Sequence, residues 1–234
     1  MLKQTCLPSG VIAATEMPPV RLYGAALISV LLYLSAGPGG ALVGIAMTAD
    51  SAEQAGGSCC TRMAGTLAFE LSDSFATHLG WLMPWSTPLT LLADSPGKIA
   101  AAQRQLARIG IAIERAAIVS PADLAAGPLA SHRVSDFAGL AAAWRQDRIT
   151  VVDVRRKSEW RAGHLDGAIH VPLHDLPGRA GELPDLPVWV HCQAGYRASI
   201  AASILQATGH VVTAVDDNLT RAGQAGLKLT QSRP

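Results

Sequence analysis

The chain has 234 residues, 49% hydrophobic and 16% charged, which excludes a disordered or collagen-like polymer and fits one or two compact domains with a real core. The formal net charge is +1 and the Lys and Arg residues are scattered, so there is no basic face for nucleic acid, and small molecules or protein thiols are the expected partners. The four cysteines, Cys6, Cys59, Cys60 and Cys192, show neither zinc-ligand spacing nor a disulfide framework, the seven histidines form no ligand motif, and neither a metal nor a cofactor is expected.

In chain order, the first feature is an uncharged stretch from Leu22 to Ala49, flanked by Arg21 and Asp50. Gly37-Pro38-Gly39-Gly40 interrupts it and leaves Leu22 to Ala36, which is shorter than the roughly 20 residues a spanning helix needs. Three readings of residues 1–40 compete: a secretory segment with a small-residue site at Leu34-Ser35-Ala36, a membrane anchor through Leu22 to Ala36, and a leader packed on the first domain. The second apolar piece, residues 41–47, has the length of a buried strand.

Residues 41–128 read as one α/β unit. Gly65-Thr66-Leu67-Ala68-Phe69-Glu70-Leu71 and Pro88-Leu89-Thr90-Leu91-Leu92 have strand character. A helix from Ile99 to Ile109 stops at Gly110. Asp50 would mark a first strand that takes in residues 41–47. Residues 121–135, rich in Ala, Gly and Pro, read as a linker.

The second unit, residues 133–232, carries the chemistry. Val152-Asp153-Val154-Arg155 ends a strand, and strand C-termini of parallel sheets face the binding crevice. Asp153 and Arg155 are therefore expected to support the site, with Arg155 and Glu159 as an ion pair. The stretch Val188-Trp189-Val190-His191-Cys192-Gln193-Ala194-Gly195-Tyr196-Arg197-Ala198-Ser199 is an apolar strand, a glycine-containing turn and the start of a long Ala/Ile/Leu helix. Backbone N–H groups of such a turn converge on the cysteine position, and the helix adds roughly half a positive charge at its open end. A thiol at such a place ionises readily and becomes a nucleophile. Arg197 supplies a cation able to grip an anionic substrate. His191 should point away from the side Cys192 uses, by strand alternation. His164, His170 and His174 are expected to make structural hydrogen bonds rather than serve as a base.

A lone cysteine at a strand end is more often plain core. The flanking motifs reverse that reading. The segment from Thr150 to Val215 resembles a rhodanese domain in Val152 to Arg155, Glu159-Trp160, Gly163-His164-Leu165-Asp166-Gly167-Ala168-Ile169-His170-Val171-Pro172 and the loop Cys192 to Arg197. The resemblance implies a small parallel sheet with helices on both faces. It also implies a sulfurtransferase in which Cys192 and Arg197 are catalytic, Gln193, Ala194, Gly195 and Tyr196 form the substrate-binding loop, and Asp153 contacts that loop. Sulfane sulfur would move from thiosulfate or a persulfide to a thiol or cyanide through a Cys192 persulfide. The alternative is a binding module that carries a persulfide, or senses redox state, without turnover. A cytoplasmic location is favoured because a reducing compartment preserves the thiolate. Only four residues separate Cys192 from Arg197, whereas phosphatases of similar build use five, so a ring of amides sized for sulfur rather than phosphate is expected.

Comparison of the chain with itself extends the resemblance. Aligning the glycines that end the two long helices places Ala93 opposite Cys192, so the first unit reads as a degenerate rhodanese-like repeat without a nucleophile. Residues 72–82 resemble the middle repeat of bacterial proteins in which a metallo-β-lactamase-type domain precedes two rhodanese repeats. Asp216-Asp217-Asn218 departs from the family's usual paired glycines and puts the rear wall of the pocket in question.

Overall fold

The structure is a computed structural model that describes residues 11–13, 41–45, 58–83, 87, 89–113, 115–119, 129–146 and 148–231. The stretch Leu22 to Ala36, its cleavage or anchor readings, and Asp50 lie outside these residues. No helix among the described residues is long and apolar enough to cross a membrane. The chain divides into two compact units, each of mixed α/β structure with a parallel-rich sheet.

The first unit is built from β1 (Val11–Ala13), β2 (Ala41–Ile45), β4 (Leu67–Phe69), helix α1 (Phe75–Leu82), β5 (Leu89–Ala93), helix α2 (Pro96–Arg108) and β6 (Arg115–Ile118). The strand between β2 and β4 in the chain, β3 (Ser58–Met63), belongs to the other sheet. The order across the first sheet is β1-β6-β5-β2-β4, with parallel pairing throughout. Residues 41–45 are thus a strand, as their length and apolar character suggested, and they run between β4 and β5. Leu67, Phe69, Leu89, Leu91 and Leu92 are buried, the near-continuous apolar run of strands covered on both faces. Helix α2 begins at Pro96, where a missing N–H costs nothing. It buries Ile99, Ala102 and Leu106 along one stripe.

The second unit contains β7 (Leu129–Ser135), α3 (Phe137–Gln146), β8 (Thr150–Asp153), α4 (Lys157–Ala162), β9 (His164–Leu165), β10 (Ile169–His170), α5 (Leu176–Arg179), β11 (Val188–His191), α6 (Tyr196–Ala207), β12 (Val212–Val215) and β13 (Leu229–Thr230). Its sheet runs β10-β8-β11-β12-β7-β3, and β9 pairs separately with β13. The linker expected over residues 121–135 is corrected at its C-terminal end. Residues 129–135 are β7, which pairs in parallel with β12 through Arg133, Val134 and Ser135. The lack of large apolar residues there reflects an outer position in the sheet, not absence of structure.

One face of this sheet packs Phe137, Leu140, Val151, Leu165, Val215, Leu219 and Ala222 into a cluster, with Trp144 and Trp189 against it. Full burial of side chains of the larger kind here stabilises by about 1.5–3 kcal/mol each. Helix α6 is apolar on most sides and buries Ala198, Ile200, Ala201, Ala202, Ile204 and Leu205, the pattern of a helix enclosed by its own domain. Asp153 and His191 are partners in the β8–β11 ladder, so both strands end at the same edge and their following residues leave the sheet side by side.

Candidate active site

Cys192 is the first residue after β11 and is 2% exposed. The chain then turns through Gln193, Ala194 and Gly195 into α6. Gly195 has φ 85°, a left-handed conformation that disfavours a side chain. A Cβ at this position would also lie 2.9 Å from Asp216 Cγ. Two independent causes therefore require glycine. The Ser199 amide donates to the Gly195 carbonyl at 3.0 Å and makes the first backbone bond of α6. Amides earlier in the turn stand outside the helix ladder, and the positive end of the helix dipole faces the turn.

The rear wall in question at Asp216-Asp217-Asn218 is well defined. Ala194 and Asn218 form an antiparallel bridge, and the Leu219 amide donates to the Gln193 carbonyl at 3.0 Å. Asp217 accepts from the Phe137 amide at 3.3 Å, which ties the wall to the start of α3. Asp216 is exposed, with its carboxylate against Gly195. The bonds from this wall to the loop are made by backbone groups, while the Asp217 side chain ties it to α3 and the Asn218 side chain accepts from the Thr220 amide at 3.0 Å.

Asp153 and Arg155 support the loop from below. Arg155 is 3% exposed and Asp153 fully buried. Arg155 donates from Nε to both carboxylate oxygens at 3.0 Å and from a terminal nitrogen at 2.7 Å. Its remaining donors reach the Gly163 carbonyl at 2.6 Å and Gln193 Oε1 at 3.4 Å. Asp153 thus acts on the loop through Arg155.

The expected Arg155–Glu159 ion pair is not formed, because Asp153, two residues away and buried with it, takes the Arg155 fork. Glu159 instead accepts from both terminal nitrogens of Arg197, each at 2.7 Å. It also accepts from the Arg156 amide at 3.0 Å, closing the start of α4. The Arg197 guanidinium holds the Glu159 carboxyl down to about 2. Arg197 is raised in turn, chiefly by Glu159, with smaller contributions from the negative charges of a Cys192 thiolate and Asp153. The Arg197 charge is thus engaged by a carboxylate, which also receives Arg156 at 3.2 Å. Sequence reasoning missed this pair, since Arg155 stands closer to Glu159 along the chain. Tyr196, the first residue of α6, is half-buried beside these groups.

The histidines hold structure. His191 is fully buried, lies edge-on to Phe137 at 5.7 Å and has Nε2 3.8 Å from Asp153. Burial pushes its imidazole below the ordinary range against the pull of Asp153. His164 donates to the Trp160 carbonyl and His170 to the Arg155 carbonyl, each at 2.9 Å, and the two rings stack on Trp160. His174 is exposed beside Asp175. No group of three or more His, Cys, Asp or Glu residues among the described residues could hold a metal ion. The arrangement offers one buried thiol at a helix N-terminus, flanked by Arg155 and Arg197, each engaged by a carboxylate. Such a site suits a single covalent transfer at sulfur.

The family described as rhodanese-like domain matches residues 137–219. An HTH-type transcriptional regulator of Mycobacterium tuberculosis is 35% identical over 89 residues, which cover 37% of this chain and 39% of the relative. A protein of Allochromatium vinosum named sulfurtransferase is 32% identical over 63 residues, covering 26% of this chain and 59% of the relative. The chain thus spans less than two-thirds of these relatives' length. Among solved structures, the rhodanese-like domain of an Anabaena protein is 26% identical, with TM-score 0.39 over 42% of this chain and 78% of its own.

Proposed function

We propose that the rhodanese-like domain at residues 137–219 transfers sulfane sulfur through a persulfide on Cys192. The observation that carries this reading is the seat of Cys192 itself, directly after a buried strand and at the N-terminal end of α6. The Cys192 thiolate attacks the outer sulfur of a donor such as thiosulfate or a low-molecular-weight persulfide. The new S–S bond forms as the old one breaks, and sulfite or a thiolate leaves with its electron pair. An acceptor thiolate or cyanide then attacks the terminal sulfur and regenerates the Cys192 thiolate. Cys192 and Arg197 take the catalytic positions, and Gln193, Ala194, Gly195 and Tyr196 form the cradle. Backbone donors pre-aimed at the transferred sulfur are the kind of contribution that reaches about 3 kcal/mol per donor. Asp153 and Arg155 hold the cradle through Gln193. The sulfurtransferase of Allochromatium vinosum supports the same chemistry.

In this reading the first unit is a degenerate repeat. With β3 at the edge of the six-stranded sheet left aside and the other strands numbered by chain order within each sheet, both sheets follow the order third, second, fourth, fifth, first. The registers also correspond. Val43 sits between Leu67 and Leu91, as Val152 sits between Ile169 and Val190. Counting forward puts Ala93 at the Cys192 position and Gly44 at the Asp153 position. The first unit then lacks both the nucleophile and the carboxylate beneath it.

The second reading, a persulfide carrier or redox sensor without turnover, is favoured by the pairing of Arg197 with Glu159, which commits the loop's own arginine to a carboxylate. The regulator of Mycobacterium tuberculosis, which contains a similar stretch, is compatible with a signalling use. Intact mass measurement after thiosulfate or persulfide treatment tests sulfur loading. A gain of one sulfur on Cys192, discharged repeatedly by added thiol, is expected. Loading that is never discharged would favour the carrier, and no loading from any donor would reject both.

A further inference from the structure

We infer that Asp216 is a specificity-determining residue that turns the site against dianionic sulfur donors and towards donors carrying an ammonium group; this rests on the sulfur-transfer reading of Cys192. The other carboxylates around the loop are each engaged by an arginine. Asp153 takes Arg155, Glu159 takes both Arg197 and Arg156, and Asp217 receives Arg221 at 3.2 Å. Asp216 is exposed, and its carboxylate has no ion-pair partner among the described residues. Its backbone is held beside the loop. The Asp216 amide donates to the Ser135 carbonyl at 2.8 Å, the Asn218–Ala194 bridge follows two residues later, and the side chain lies over the Gly195 Cα. A donor approaching Cys192 across Gly195 meets this carboxylate.

Two donor reactions with the same transferred atom separate charge from chemistry. With thiosulfate, Cys–S⁻ attacks the outer sulfur, Cys–S–S⁻ forms and sulfite dianion leaves. With 2-aminoethanethiosulfonate, the same bond forms and aminoethanesulfinate leaves. Both steps conserve atoms and charge, and only the second donor carries an ammonium group. An exposed charge acting at this range is worth a factor of up to about five, and it is screened by salt.

The test measures kcat/KM for both donors, with cyanide as acceptor, in the wild type and in Asp216→Asn, which keeps the shape of the side chain. The ratio of aminoethanethiosulfonate to thiosulfate should fall about fivefold in the variant at low salt. In the wild type the thiosulfate rate should rise with ionic strength while the zwitterion's rate stays nearly level; this arm needs no variant. An unchanged ratio, or a thiosulfate rate that falls with salt, would overturn the role of Asp216 while leaving sulfur transfer intact. If neither donor places sulfur on Cys192 in the wild type, both readings fall.

Discussion

Arg197 and Glu159 face each other fork to fork, each terminal guanidinium nitrogen on one carboxylate oxygen at 2.7 Å. The pair joins the first turn of α6, which begins beside the nucleophile, to α4, which follows β8. It thereby sets the position of the helix N-terminus that faces Cys192, and it decides how much positive charge an incoming donor meets.

The Glu159 carboxyl is held down from its ordinary 4.5 to about 2. A folded-state value below the unfolded one adds stability that is fully present above about 4.5 and is lost as pH falls through about 2. The pair is partly solvent-screened, so its worth is on the order of 1 kcal/mol. Glu159→Gln keeps the cap at the start of α4 and should flatten the fall in urea midpoint across this acid window. A variant with the same acid profile as the wild type would show that Glu159 does not contribute to the acid loss.

Cys192 should carry sulfur loading alone. Cys192→Ser is expected to abolish it, and joint replacement of Cys6, Cys59 and Cys60 by Ser to leave most of it, read by intact mass after thiosulfate. With four residues between Cys192 and Arg197, no hydrolysis of an aryl phosphate is expected. Phosphatase turnover without a persulfide would reject the sulfur-sized cradle.

Removing the cation beneath the loop should be costly. Arg155→Met leaves the fully buried Asp153 carboxylate unpaired, a defect of about 3–5 kcal/mol. The double variant Asp153→Asn with Arg155→Met should recover part of that loss in denaturant unfolding. Equal stability of the single and double variants would mean that burial of Asp153 alone does not set the penalty.

Gly195 answers to two constraints that a double-mutant cycle can separate. Gly195→Ala meets both the left-handed φ and the Asp216 side chain, and should lose at least about 1 kcal/mol. Asp216→Gly removes only the contact, so combining it with Gly195→Ala should restore part of the stability and leave the φ cost. Strict additivity of the two changes would mean that Asp216 does not press on this position.

How far the chain could be read depends on the distance over which its forces act. The strand at residues 188–191, the glycine turn and the helix behind it were legible because their causes are local: a short apolar run, a residue free to take positive φ, and an Ala/Ile/Leu stretch with no breaker before Gly209. The place of Cys192 between that strand and that helix followed from the same local order. Residues 41–45 were recognisable as strand for the same reason, whereas β7 at residues 129–135 was taken for linker because strands at or near a sheet edge need few large apolar residues. The ion pairs were decided only in three dimensions. Arg155 and Glu159 are close in sequence, yet burial beside Asp153 claimed Arg155, and Glu159 was left to meet Arg197 from 38 positions away. The wall at Asp216 was equally hidden. Only the parallel pairing of β11 with β12 and the bridge from Asn218 to Ala194 bring that carboxylate onto Gly195, and sequence spacing carries no trace of a contact made through the register of a sheet.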